Sequence, residues 1–98
     1  MDSYKLHWSE EAVRNLENIL EHLQENWSEK VVLNFKTSLS KLLDLICRHP
    51  FTFPRSEYKK RLRKAVLSKQ TTIYHEVKNN EVIIAYIFVN SQDITHIK

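Results

Sequence analysis

Val82-Ile83-Ile84-Ala85-Tyr86-Ile87-Phe88-Val89 is apolar at every position. A run of eight such residues, rich in β-branched and aromatic side chains, reads as a central strand covered on both faces. Just upstream, Asn79-Asn80 supplies a two-residue turn, because asparagine tolerates the left-handed backbone that a tight hairpin requires. Before that turn, residues 71–78 carry β-branched and aromatic residues throughout and read as the partner strand. Residues 61–67, Arg-Leu-Arg-Lys-Ala-Val-Leu, read as a third, basic strand. One face of the last strand needs a helical layer. The other needs the tail, a second copy or a partner protein.

The helical layer lies further upstream and announces itself twice. Trp8-Ser9-Glu10-Glu11-Ala12-Val13 and Trp27-Ser28-Glu29-Lys30-Val31-Val32 share one start signal. Each serine is placed to cap a helix by accepting a bond from an otherwise unpaired amide. Each tryptophan is placed to pack on the valine at the fourth helical position, and the early glutamates suit the positive end of the helix. Ala12, Val13, Leu16, Ile19, Leu20 and Leu23 follow the first cap at helical spacing. Val32, Phe35, Leu39, Leu42, Leu43 and Ile46 follow the second. The short link at residues 24–27 predicts antiparallel neighbours. Pro50 stops the second helix, since the residue before a proline is pushed toward extended geometry. Residues 4–8, Tyr-Lys-Leu-His-Trp, alternate apolar and polar and read as a short first strand.

The order is therefore β-α-α-β-β-β. It predicts a single α+β domain over residues 1–98, with an antiparallel α-hairpin packed on a small, mostly antiparallel sheet. The chain contains no glycine at all, which excludes Gly-rich phosphate loops and dinucleotide fingerprints. No apolar run approaches the roughly 20 residues of a membrane span, and no basic-then-apolar leader opens the sequence. Cys47 is the single cysteine, so no internal disulfide forms and a cytoplasmic location is expected. His7, His22, His49, His75 and His96 lie too far apart for a local metal motif. Neither a metal nor a cofactor is expected.

The formal charge is only +3, but it is lopsided. Residues 1–50 carry six Lys/Arg against eight Asp/Glu, whereas residues 51–98 carry nine against four. Most of the excess sits between positions 55 and 69, as Arg55, Lys59, Lys60, Arg61, Arg63, Lys64 and Lys69 opposed by Glu57 alone. That concentration points to an anionic partner, nucleic acid or an acidic peptide. On a strand, Arg61 and Arg63 would share one face. Cys47, Trp8, Trp27 and His75 read as core or structural residues.

Several of these features together resemble a known family. Residues 4–12 read Tyr-x-Leu-x-Trp-Ser-x-x-Ala, and Trp27-Ser28 opens the second helix. Pro50 and Pro54 frame the following loop. Leu62-Arg63-Lys64-Ala65-Val66-Leu67, Tyr74, Asn79-Asn80 and Ile87-Phe88-Val89-Asn90-Ser91-Gln92-Asp93 complete the layout. It resembles the RelE/ParE superfamily, the plasmid-stabilisation toxins of bacterial type II toxin–antitoxin systems, over nearly the full chain.

The resemblance implies the fold derived above and a cognate antitoxin that wraps the toxin. It implies one of two activities: ParE-like inhibition of DNA gyrase by binding, or RelE-like cleavage of mRNA in the ribosomal A site. Cleavage of the RelE kind needs a proton acceptor for the RNA 2′-hydroxyl and cations around the phosphorus. Lys60, Arg61, Arg63 and Lys64 are the candidate cations here, and Tyr74, His75 or Tyr86 the candidate polar ring. In many similar members an arginine stands at the position of Ser91, followed by Gln-Asp-Pro or Gln-Asn-Pro. This chain has Ser91-Gln92-Asp93-Ile94, and a serine lacks the cationic fork an arginine offers a phosphate. The reading therefore favours a ParE-like toxin that acts by binding, with no catalytic residue assigned. The alternatives are a ribosome-dependent mRNA endonuclease or a non-toxic relative of the same fold. Residues expected at a partner or nucleic-acid surface are Lys60, Arg61, Arg63, Lys64, Lys69, Tyr74, Tyr86 and Gln92. A homodimer is a further expectation.

Overall fold

The structure is a computed structural model, and residues 4–90 are described. Ser91 and Gln92 lie outside the described residues. The elements run β1 (Lys5–Trp8), α1 (Glu10–Asn26), α2 (Glu29–Arg48), a 3-10 turn (Pro50–Thr52), β2 (Arg63–Val66), β3 (Thr71–Lys78) and β4 (Glu81–Val89). The sheet order is β1-β4-β3-β2, so the apolar run of β4 does occupy a central position. β2–β3 and β3–β4 are antiparallel, while β1 joins β4 in parallel. This is the mostly antiparallel α+β sheet expected from the sequence.

Both helix starts form as the sequence dictates. Ser9 accepts from the Ala12 amide at 3.0 Å and Ser28 from the Val31 amide at 3.3 Å. α2 ends at Arg48, two residues before Pro50. Asn79 and Asn80 adopt φ of 53° and 66°, so asparagine supplies the left-handed turn that glycine cannot in this chain.

The core lies between the hairpin and one face of the sheet. It joins Ala12, Leu39 and Ile46 of the helices to Ala65, Ile73, Val82, Ile84 and Ile87 of the strands. Trp8 packs against this cluster, but Trp27 is half-exposed and does not belong to the core. It sits at the hairpin turn, just after α1 ends at Asn26.

β4 is longer than β1, and α1 compensates. β1 pairs with Glu81 to Ile84 only. Beyond it the β3–β4 register shifts, passing from Tyr74↔Tyr86 to His75↔Ile84 and leaving Ala85 as the extra residue of a bulge. The Ser9 hydroxyl donates to the Ala85 carbonyl at 2.6 Å, and Asn15 Oδ1 accepts from the Ile87 amide at 2.9 Å. Helix side chains thus replace the missing strand, as buried backbone groups require partners.

The basic strand is shorter than its sequence suggests. Residues 61 and 62 form part of a turn, and only Arg63–Val66 join the sheet. Ser56 accepts from the Tyr58 and Lys59 amides, and the Leu62 carbonyl accepts from the Ser56 amide at 2.7 Å. That compact turn consumes the backbone groups a longer strand would have used.

Candidate functional site

Alternation along the strands sends Ala65, Ile73 and Ile84 into the helix-facing core and turns their neighbours outward. On the helix-free face, Lys64, Tyr74 and Tyr86 stand in one register row across β2, β3 and β4. The two tyrosine rings stack with centroids 4.7 Å apart and planes 21° from parallel. One row along, Val66, Thr72 and Phe88 align, and Val66 and Phe88 are exposed. The far side of the central strand is therefore not covered by any described element.

Beside the tyrosine pair lies a cleft of about 420 Å³ lined by Lys59, Arg61, Glu11, Glu76 and Tyr86 among others. Arg61 Nε sits 3.8 Å from Glu76 Oε1, so one of its cations is partly neutralised. Burial lifts the Tyr86 hydroxyl above its ordinary value of 10.0, with Tyr74 and Glu11 adding to the effect. Such a phenol stays protonated near neutral pH and makes a poor general base.

The expected pairing of Arg61 with Arg63 on one face does not form. Arg61 lies in the turn on the helix-free side, whereas Arg63 stands opposite His75 in the register. Arg63 Nη1 donates to the Phe53 carbonyl at 2.8 Å and to the Phe51 carbonyl at 3.4 Å, and its guanidinium lies 5.1 Å from the Phe51 ring centroid. The two side chains part because the strand starts at Arg63, two residues later than its composition implied. Arg63 holds a loop, as does Arg55, which donates to the Lys60 carbonyl at 2.8 Å. Lys60 is exposed in the same turn. Lys69 sits at the opposite end of β2, in the β2–β3 connection, away from Arg61. The basic segment is thus divided, and Lys64, Tyr74, Tyr86 and Arg61 are the expected site residues that do converge. His75 is completely buried and is withdrawn from that face.

A second feature was not anticipated. Between the hairpin turn and the ends of β3 and β4 runs an apolar groove of about 540 Å³, lined by Ile19, Leu23, Trp27, Val31, Phe35 and Val89 among others. In sequence these residues looked like ordinary helix core. The signal available was Trp27 itself, a large ring at a turn. Among the described residues no group of three or more His, Cys, Asp or Glu could hold a metal ion.

The family of the chain follows from its match, over residues 6–94, to the model of the ParE toxin of the type II toxin–antitoxin system parDE. The chain belongs to the ParE toxin family. Its fold is that of the chromosomal ParDE system from P. aeruginosa, with a TM-score of 0.75 at 17% identity, covering 89% of this chain and 96% of that one. It is also similar to a conserved hypothetical protein from Helicobacter pylori, with a TM-score of 0.60 at 17% identity and coverage of 90% and 96%. The E. coli DinJ-YafQ toxin–antitoxin complex gives a TM-score of 0.56 at 11% identity, with coverage of 92% and 96%. No curated protein sequence matches the chain significantly. This ParE-family chain thus carries a helical hairpin on one face of its four-stranded sheet and exposes Val66 and Phe88 on the other.

Proposed function

We propose that this ParE-family toxin acts by binding, as a DNA gyrase inhibitor, and is neutralised by a cognate antitoxin in the bacterial cytoplasm. The observation that carries the reading is the engagement of its polar groups. Arg63 is spent on two loop carbonyls, His75 is buried, and Tyr86 is held protonated. Binding needs only a surface, and the helix-free face supplies one with exposed apolar and basic residues. The antitoxin reading draws support from solved relatives that are themselves toxin–antitoxin complexes. We assign the apolar groove around Trp27 to an apolar antitoxin segment. The test is supercoiling by purified gyrase with increasing toxin, run beside an mRNA in a translation extract. Inhibition with an intact message supports the proposal. Unimpaired supercoiling at high toxin excess removes it.

The second reading, ribosome-dependent mRNA cleavage, has one observation in its favour. Lys64, Tyr74 and Tyr86 form a row beside the cleft that holds Lys59 and Arg61. Codon-boundary cleavage lost on changing Lys64 and Arg61 to alanine would establish it instead.

A further inference from the structure

We propose that His75 is a pH-sensitive latch, holding residues 50–56 against the sheet and so fixing the basic turn that follows. The ring lies at the centre of β3 with no exposed surface. Its Nε2 faces the Pro50 carbonyl at 3.3 Å. A carbonyl only accepts, so the proton resides on Nε2 and the neutral tautomer is fixed by that contact. Nδ1 is buried with no hydrogen-bond partner. Phe53 of the same loop meets the ring edge-on, with centroids 5.6 Å apart and planes at 89°.

The surroundings give an added proton nowhere to go. Ile84 stands opposite His75 on β4 and Arg63 opposite it on β2. The buried residues of α1 and α2 are Ala12, Val32, Leu39 and Ile46, none of them titratable. The loop offers a carbonyl and a phenyl ring. The charged neighbour is thus a cation, and among the described residues none hydrogen-bonds Nδ1. Burial is the main force holding the ring neutral, pulling its pKa below the ordinary value of 6.5; the Pro50 contact opposes this and Arg63 adds to it. Protonating Nδ1 creates a buried unpaired charge, which a structure relieves by opening.

What opens is defined by the contacts on either side. Arg63 grips the Phe51 and Phe53 carbonyls from the strand adjacent to His75. The Pro54 carbonyl accepts from the Lys64 amide at 2.9 Å, and Arg55 bridges Arg63 along the edge of β2. A protonated His75 and the Arg63 beside it repel, and among the described residues the loop backbone is joined to the edge of β2 only by the Lys64–Pro54 bond and the single Arg55–Arg63 bridge. Its release frees the turn carrying Lys59, Lys60 and Arg61. Acid therefore loosens one edge of the domain before it unfolds the core. The inference does not depend on which cellular target the toxin binds.

The experiment is a pH titration of the full chain by NMR, following the His75 ring nitrogens and the amides of Ser56, Lys64 and Ile73. The expected result is an Nε2–H tautomer at pH 8 and a titration midpoint below 6.5. Through that midpoint, exchange of the Ser56 and Lys64 amides, corrected for intrinsic pH dependence, should rise about tenfold relative to Ile73. In His75→Phe the pH-dependent opening should vanish. Arg63→Gln, which removes the neighbouring charge on a partly exposed side chain, should move the midpoint upward even if the first variant does not fold. A midpoint at or above 6.5, or loop amides that stay protected through it, overturns the latch.

Discussion

The Asn15 side-chain oxygen accepts a hydrogen bond from the Ile87 amide at 2.9 Å, joining α1 to a strand 72 residues later. It does so where β1 has ended and β4 has lost its neighbour. Removing the oxygen strands a partly buried N–H. Asn15→Ala should cost about 1–3 kcal/mol, read as a lower urea midpoint, while Asn15→Asp, which keeps an acceptor, should cost less. Equal midpoints for Asn15→Ala and the parent would show that water satisfies the amide instead.

The two capping serines provide an internal control. Ser9 caps α1 and also donates to the Ala85 carbonyl, whereas Ser28 is exposed and only caps α2. Each cap is worth about 0.5–2 kcal/mol. Ser9→Ala should therefore lower the melting temperature clearly more than Ser28→Ala. Matching losses would mean that the bond to the bulge contributes nothing.

Arg61 and Arg63 should separate by readout. Arg63→Ala removes charge-assisted bonds to two carbonyls and should cost about 1.5–3 kcal/mol of stability. Arg61→Ala breaks a largely exposed ion pair and should cost about 1 kcal/mol or less. If the helix-free face contacts the target, Arg61→Ala should nevertheless weaken inhibition more per molecule of folded protein. Chemical denaturation and the supercoiling assay together decide the point.

Trp27 is half-exposed and lines the apolar groove. Buried tryptophans at protein interfaces commonly contribute 2 kcal/mol or more. Trp27→Ala should weaken antitoxin affinity by about 30-fold, as 2 kcal/mol converts at 1.4 kcal/mol per decade. Its effect on the stability of the toxin alone should be much smaller. Calorimetric titration with the cognate antitoxin would expose an error, since an unchanged affinity places the antitoxin elsewhere.

Global stability should fall with acid in a window set by His75. Its folded pKa lies below the ordinary value of 6.5, so between those two values the unfolded chain binds more protons than the folded one. Stability then rises with pH across that window. The contribution is complete above 6.5 and is lost progressively as pH falls to the folded value. In His75→Phe the slope over this window should flatten, which urea titrations from pH 5 to 8 would register.

Local chemistry was enough to specify the elements of this domain. Ser9, Ser28 and Pro50 mark helix ends because each acts on backbone groups within a few residues. Asn79-Asn80 marks the hairpin because only a tolerant residue accepts positive φ. The apolar run of β4 required a central strand, and the β-α-α-β-β-β order followed. Tertiary structure decided everything that depended on register. Arg61 and Arg63 parted because a turn stabilised by Ser56 and Leu62 consumed two residues of the expected strand. Asn15 became a strand partner because β1 stops short. Trp27 faced a groove because the fold brings the hairpin turn beside the ends of β3 and β4. His75 acquired its buried, half-satisfied ring because a loop 25 residues earlier in the chain closes over it. Caps and turns are short-range and can be read from neighbouring residues. Faces, clefts and buried protons arise from pairings between distant segments, which no local pattern encodes.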